Sequence, residues 1–431
     1  MTEQIPETIV GRGNKEGASL FRDWFAELNQ ASDEGRGAAY VFVMGSFNEI
    51  LKSFDLPVVF PEINSLQTAV RRVAHEYLEE AEDHGYSPDI CGYVKADIGT
   101  QLRGGEHPMG QIPKPAITVL TNACNTYLKW AEAWERMYEM PMVTIDVPGT
   151  RFAGGETWQG NQDFENDRKY VEAQIRDLIT VCEKVTGKKF DIDKLREIMG
   201  HANGISSGWK SLLELNRNKP SVFNALTDGT IYLGVANGLR GDERGAKYFQ
   251  DLVEEMEYKV ANNIGTMTEE EWRLVFVGVP CYPIFRRFNE MFSEWKGTFV
   301  HSTYLWFASG GSNVGFQYDL SDPVASLAEG SLISVRDSMD SMFHHDRVCE
   351  EMIEGFGIDG VVYHPIKSCR TVSTGLADGR RALTERTGIP SLFIESDMMD
   401  QRVVAEAQMK NRADAFFEGL VSRREQELIA H

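Results

Sequence analysis

Short apolar runs alternate along the chain with longer stretches in which apolar side chains recur every three or four positions, the spacing of one helical face. The first 36 residues are polar apart from one such face, Leu20, Trp24, Phe25 and Leu28, and end in the Gly-rich DEGRGAA. They predict a helical lead-in over 1–36. Tyr40–Met44 and Val58–Phe60 read as strands around a helix at Phe47–Phe54, and Asn64, a favoured N-cap residue, opens a helix to about Glu82. Ser87-Pro88-Asp89 is a further helix start, with Ser as N-cap and Pro at the first helical position. After a Gly- and Pro-rich loop at 103–115, strands at Ile117–Leu120 and Met142–Ile145 flank a helix at 125–139.

The pattern turns mainly helical between Asn166 and Gly265, where Val171, Ile175, Leu178, Cys182 and Val185 form one stripe. Another helix, Asp193–Ala202, follows Asp191, and only Thr230–Leu233 suggests a strand. From Trp272 the alternation returns. Strands are expected at Leu274–Val277, Thr298–His301, Gly360–Tyr363 and Ser391–Ile394, with helices at Ile284–Trp295, 337–355 and 375–387. A last helix runs from Gln401 to about Leu428. Strands alternating with helices imply parallel sheets covered on both faces. The expected fold is therefore α/β, with two Rossmann-like or flavodoxin-like parallel-sheet domains at 37–150 and 266–398. A mainly helical insertion at 151–265 lies between them, and 399–431 forms a C-terminal helix.

A chain of 431 residues has room for two or three such cores. Its 65 acidic and 44 basic side chains leave a net charge of −21, which argues against a nucleic-acid or anionic-membrane surface as partner. A small anionic ligand held by a local cluster is still compatible with that charge. The opening MTEQIPETIVGRGNKEG lacks the basic start and apolar centre of a signal peptide, and no apolar run is long enough to span a bilayer. The expected location is cytoplasmic.

The six cysteines are widely spaced and include no CxxC pair, so neither a disulfide framework nor a zinc ribbon is expected. Cys182 lies on the helical stripe above and Cys349 shares a face with Met352, Ile353 and Phe356, so both read as small core hydrophobes. Cys281 ends a strand in Val279-Pro280-Cys281, where packing and a supporting role at a site are both open. Cys91, Cys124 and Cys369 differ, because each lies where a strand or loop hands over to a helix, at the edge where open sheets bind ligands. Helix-terminal N–H groups there favour thiolate, the form that binds metal. Three thiolates from distant segments suit an iron–sulfur cluster with one open iron better than a closed structural zinc site.

Weaker signals have bland readings beside them. Gly11-Arg12-Gly13-Asn14-Lys15 has the composition of a phosphate loop without the preceding strand or spacing. His344-His345-Asp346 reads as a solvated helical face, and Tyr304, Trp306 and Phe307 as either an apolar pocket wall or a packed loop. His301 and His364, near strand ends, are candidates for proton delivery.

Several phrases together carry a resemblance. DICGYVKADIG with Cys91, LTNACNTYLKW with Cys124, Asp146-Val147-Pro148 leading to Tyr170, GVPCYP with Cys281, DGVVYHPIKSCRT with Cys369, and ESDMMDQR with Glu395, Asp397, Asp400 and Arg402 span most of the chain. It resembles the benzoyl-CoA reductase and 2-hydroxyacyl-CoA dehydratase family. IPKPAITVLTNACNTYLKWAEAW is most like the B-type subunit of ATP-dependent benzoyl-CoA reductases. The resemblance implies a 4Fe-4S cluster on Cys91, Cys124 and Cys369, a homologous cluster-bearing partner subunit, and a separate ATP-hydrolysing activator that delivers single electrons. It further implies an aromatic acyl-CoA substrate and Birch-like reduction by alternating electrons and protons. A 2-hydroxyacyl-CoA dehydratase subunit, using the same cluster for ketyl-radical dehydration, is the alternative. A non-catalytic α/β scaffold subunit is the reading from a different class.

Overall fold

The computed structural model describes residues 9–149, 162–339 and 342–430. Two four-stranded parallel sheets organise the chain. The first contains β1 (Ala38–Val41), β2 (Val58–Val59), β5 (Pro115–Thr121) and β6 (Met142–Ile145), in the order β2-β1-β5-β6. A two-stranded antiparallel hairpin, β3 (Glu106–His107) and β4 (Gly110–Gln111), stands apart. The second sheet contains β7 (Trp272–Gly278), β8 (Gly297–Ser302), β9 (Gly360–His364) and β10 (Ser391–Phe393), in the order β10-β9-β7-β8. The first sheet, numbered by itself, has the order 2-1-3-4, and the second, read from its other edge, has 2-1-3-4 as well, the doubly wound flavodoxin-like arrangement. β7 and β9 are buried along their whole length, as strands covered on both faces must be.

The α/β reading therefore holds, and the differences are local. The helix expected from Asn64 to Glu82 is two, Pro61–Val70 and Ala74–Asp83, with Arg72 at φ 63° between them. Pro61 at the first position starts the earlier one, since its missing N–H is unpaired there anyway. Thr230–Leu233 is not a strand but part of the helix Thr227–Gly238, whose start is held by Asn224 Oδ1 accepting from the N–H groups of Leu226 and Thr227. The connection after β8 is helical at Thr303–Ala308 and Pro323–Met339, and the expected helix at 337–355 is Met342–Phe356.

The helices Gln162–Thr186, Ile192–Leu215, Thr227–Gly238 and Glu243–Ala261 lie between the two sheets in sequence. Against the last of them packs the lead-in helix Arg12–Asp33, with Trp24, Phe25 and Leu28 buried as its stripe predicts. The Cβ of any residue at Gly17 would stand 2.6 Å from the hydroxyl of Tyr248, so that crossing depends on glycine.

Candidate metal centre

Three segments turn into helices at a cysteine. Cys91 is the N-cap of Gly92–Leu102, Cys124 of Asn125–Tyr138 and Cys369 of the single turn Arg370–Ser373. Cys124 follows β5 and Cys369 follows β9, so each lies beyond the carboxyl end of the third strand of its sheet. Ser87-Pro88-Asp89, expected to open the Cys91 helix, instead forms a turn in which the Asp89 N–H donates to Ser87 Oγ at 3.2 Å. The Pro88 carbonyl is taken by the Lys95 ammonium at 2.8 Å, and the helix begins at Gly92.

The three thiols share one neighbourhood between the sheets. Cys124 Sγ lies 3.7 Å from Thr371 Oγ1, two residues past Cys369. Gly92 packs so closely that a Cβ there would be 2.8 Å from Met399 Cβ and 3.2 Å from Ser368 Oγ, which seats the start of the Cys91 helix beside the Cys369 loop. Ionisation of Cys91 is opposed first by burial and then by charge on Cys369 and Cys124. Among the described residues, however, no three His, Cys, Asp or Glu side chains are drawn into a group ready to hold a metal ion.

Helix-start placement was expected to favour thiolate, and here the structure corrects the sequence. Burial pushes the Cys91 and Cys369 thiols up, outweighing the N–H groups of Val94 and Tyr93 at Cys91 and of Val372 and Thr371 at Cys369. The low-dielectric surroundings cost a lone thiolate more than a few N–H dipoles return. A metal ion binding at Cys91 or Cys369 would have to displace the thiol proton.

The residues fit a thiolate-held cluster on chemical grounds. Three thiols contain no hard oxygen donor. The buried Ser368 hydroxyl, 3.2 Å from where a Cβ on Gly92 would stand, has no hydrogen-bond partner. Donors of this kind, with the four N–H groups above, are what anionic sulfur needs in a dry site.

Supporting contacts tie the segments together. The Asp397 carboxylate accepts from the N–H groups of Ser368 at 2.9 Å, Met399 at 2.8 Å and Asp400 at 3.0 Å, shaping the loop before Cys369. Glu82 accepts from Lys95 on the Cys91 helix at 2.8 Å and from Arg402 at 2.7 and 2.9 Å. Lys95 is almost fully buried, and the paired cations hold Glu82 at about 2. Glu62, in the first turn of Pro61–Val70, accepts from Tyr127 Oη at 2.6 Å and from the Val43 N–H at 3.0 Å. Burial raises its carboxyl to about 7, and Tyr127 itself feels charge on Glu62, Cys124 and Cys91. Sequence reasoning passed over Glu62; its one signal is an acid set between the apolar Phe60-Pro61 and Ile63.

The other candidates fall elsewhere. Cys182 and Cys349 are buried with thiols pushed up to about 12, as core residues. Cys281 accepts from Ser396 Oγ at 3.5 Å, and Ser396 in turn meets His364 Nε2 at 2.6 Å, while His364 Nδ1 meets the Val279 carbonyl at 2.6 Å. Burial lowers both His364 and His301 to about 4. Both rings therefore favour the neutral form at neutral pH, because a buried imidazolium has lost its hydration. The resemblance to a phosphate loop at Gly11–Lys15 ends in an internal anion. Glu255 accepts from the N–H groups of Gly11 and Gly13, each at 2.6 Å. Asp346 is buried and 3.5 Å from Arg386, contrary to the solvated face expected; the side chains of His344 and His345 lie outside the described residues. Tyr304 Oη accepts from Tyr282 Oη at 2.9 Å, and Phe307 borders a largely polar cavity that also touches Val43–Phe47 and Arg240. Among the described residues no helix is long and apolar enough to cross a membrane.

A family model described as 2-hydroxyglutaryl-CoA dehydratase, D-component, matches residues 46–420. The chain belongs to this family. Membership makes it a component of a dehydratase or reductase enzyme. The chain is 30% identical to the B-type subunit of benzoyl-CoA reductase from Thauera aromatica over 97% of both sequences. Over 94% of this chain and 95% of the relative it is 27% identical to the (R)-2-hydroxyisocaproyl-CoA dehydratase alpha subunit of Clostridioides difficile. Identity to the (R)-phenyllactyl-CoA dehydratase alpha subunit of Clostridium sporogenes is 28% over 88% of each. The relatives' names thus cover both a reductase and dehydratases.

Proposed function

We propose that this chain is the iron–sulfur subunit of an ATP-dependent, low-potential benzoyl-CoA reductase. The observation that supports the reading most is that three helix-capping thiols, Cys91, Cys124 and Cys369, lie near enough for charge on one to bear on another. Similarity to a benzoyl-CoA reductase component over nearly the whole of both chains supports it. Cys91, Cys124 and Cys369 would hold a 4Fe-4S cluster, which when bound supplies single electrons at very low potential to a thioester-conjugated ring. The chain's own part is to keep that place dry, to present N–H and O–H donors to sulfur, and to hold a proton close by. Glu62 is suited to the last task, since a carboxyl at about 7 is both donor and acceptor near neutral pH. Partners in this reading are a homologous cluster-bearing subunit and an ATP-hydrolysing activator in the cytoplasm.

The alternative, a 2-hydroxyacyl-CoA dehydratase subunit, is favoured by the family's description and by the two dehydratase relatives. One assay separates them. The complex purified without oxygen, with its activator, is expected to consume benzoyl-CoA only with ATP and an electron donor. Dehydration of a 2-hydroxyacyl-CoA without net electron use would instead assign the dehydratase reading. A colourless, iron-free protein would overturn both and leave a scaffold subunit.

A further inference from the structure

The two helices capped by Cys91 and Cys124 are joined inside the first sheet's core by one carboxylate. Asp97 Oδ2 accepts from the indole N–H of Trp130 and of Trp134, each at 2.7 Å, and Oδ1 accepts from Gln101 Nε2 at 3.0 Å. Asp97 and both indoles are buried. Asp97 is six residues past Cys91 and Trp130 six past Cys124, so the clamp sits about 9 Å along each helix from its cysteine. The indoles, on one face at i and i+4, have ring centroids 5.4 Å apart and can reach a single oxygen only at one relative setting of the two helices.

The choice of residue is physically costly. A buried carboxylate without a cation loses its hydration and receives only neutral donors in return, and burial accordingly raises Asp97 to about 6. An apolar side chain would fill the same volume at less cost, so stability alone does not account for it. What the carboxylate adds is direction. Gln101 in turn links two phenols: Tyr138 donates to its Oε1 at 2.7 Å, and its Nε2 donates to Tyr40 Oη of β1 at 3.4 Å. The clamp is thereby anchored to the sheet.

We propose that Asp97 is a positioning residue that sets the approach of Cys91 to Cys124 by locking the two helices they cap. This rests on the reading of those thiols as metal ligands, and the test separates the two. Apo protein held without oxygen is titrated with cadmium(II), reading sulfur-to-metal charge-transfer absorption and the number of thiols protected from a chromogenic disulfide. Wild type is expected to protect three thiols. Asp97→Asn keeps an acceptor oxygen for both indoles and should bind within about threefold of wild type, whereas Asp97→Leu should bind at least about tenfold more weakly and protect fewer thiols. Trp134→Phe, which removes one donor and keeps the bulk, should fall between them and serves if Asp97→Leu does not fold.

A control is Glu270→Gln, which weakens the buried pair with Arg273 beside β7. It should lower the melting temperature without changing cadmium binding. Equal binding by wild type, Asp97→Leu and Trp134→Phe overturns the clamp, as does an equal loss in Glu270→Gln. If wild type protects no thiol, the metal reading falls instead. The clamp is then judged by the rate at which a bismaleimide bridges Cys91 and Cys124, expected to drop about tenfold in Asp97→Leu, an unchanged rate overturning it.

Discussion

The two sheets have one strand order and use it differently. In the first, the segment between the second and third strands carries Cys91 at a helix start; in the second, the corresponding segment carries Cys349 in the body of Met342–Phe356. Cys91 is partly buried against the core where charge on Cys124 and Cys369 bears on it, and its helix is fixed from outside by Glu82 and from inside by Asp97. Cys349 is enclosed among Val348, Met352, Phe356 and other apolar side chains. The same thiol in the same topological segment is thus a candidate ligand or a piece of core according to whether it caps a helix or sits within one.

The widest separation is expected in metal content. Cys124→Ala, expressed and purified without oxygen, should lose most of its iron, whereas Cys349→Ala should keep iron near the wild-type amount, measured per chain with inorganic sulfide. Equal loss in both would erase the distinction between capping and core thiols. Next in size is the charged tie on the first sheet's side. Glu82→Ala removes the carboxylate partner of the buried Lys95 ammonium, leaving its bond to the Pro88 carbonyl, and should cost about 2 kcal/mol in denaturant unfolding.

Glu62 sharpens the contrast through pH. Its folded carboxyl titrates near 7 against an ordinary value of 4.5, so the folded state holds the proton that the unfolded chain has already released. Below about pH 4 this group contributes nothing. As pH rises from 4.5 to 7 its burial destabilises the fold, by up to about 3 kcal/mol above pH 7. Glu62→Gln can keep an acceptor oxygen for one of its two donors and carries no charge, and should therefore raise stability above pH 7 and change it little below pH 4, read from urea midpoints at the two ends. The smallest effect belongs to the second sheet: Cys349→Ala should cost only about 1 kcal/mol, that of a small cavity, with no dependence on pH through the neutral range.

Much of this was legible along the chain. The stripe through Val171, Ile175, Leu178 and Cys182 is buried as its spacing requires, and the strand-to-helix position of Cys124 follows from an apolar run that stops just before Asn122. Three features were not legible. The break at Arg72 leaves no Gly or Pro in its place; the solvation of Cys91 depends on the Cys369 loop far along the chain; and Asp97 and Glu62 look like ordinary helical acids until distant segments cover them.

The alternation that makes two parallel sheets, and the placing of three cysteines at helix starts, are written in the order of residues, because periodicity and capping are properties of neighbours in the chain. That the three starts come close enough for their thiols to feel one another's charge, that burial raises the Cys91 and Cys369 thiols, and that Asp97 and Glu62 are buried in the same half of the molecule became fixed only when the chain folded. Such outcomes depend on which surfaces cover which, and the cost of burying a charge is set by everything within a few ångströms, whatever its position in the sequence.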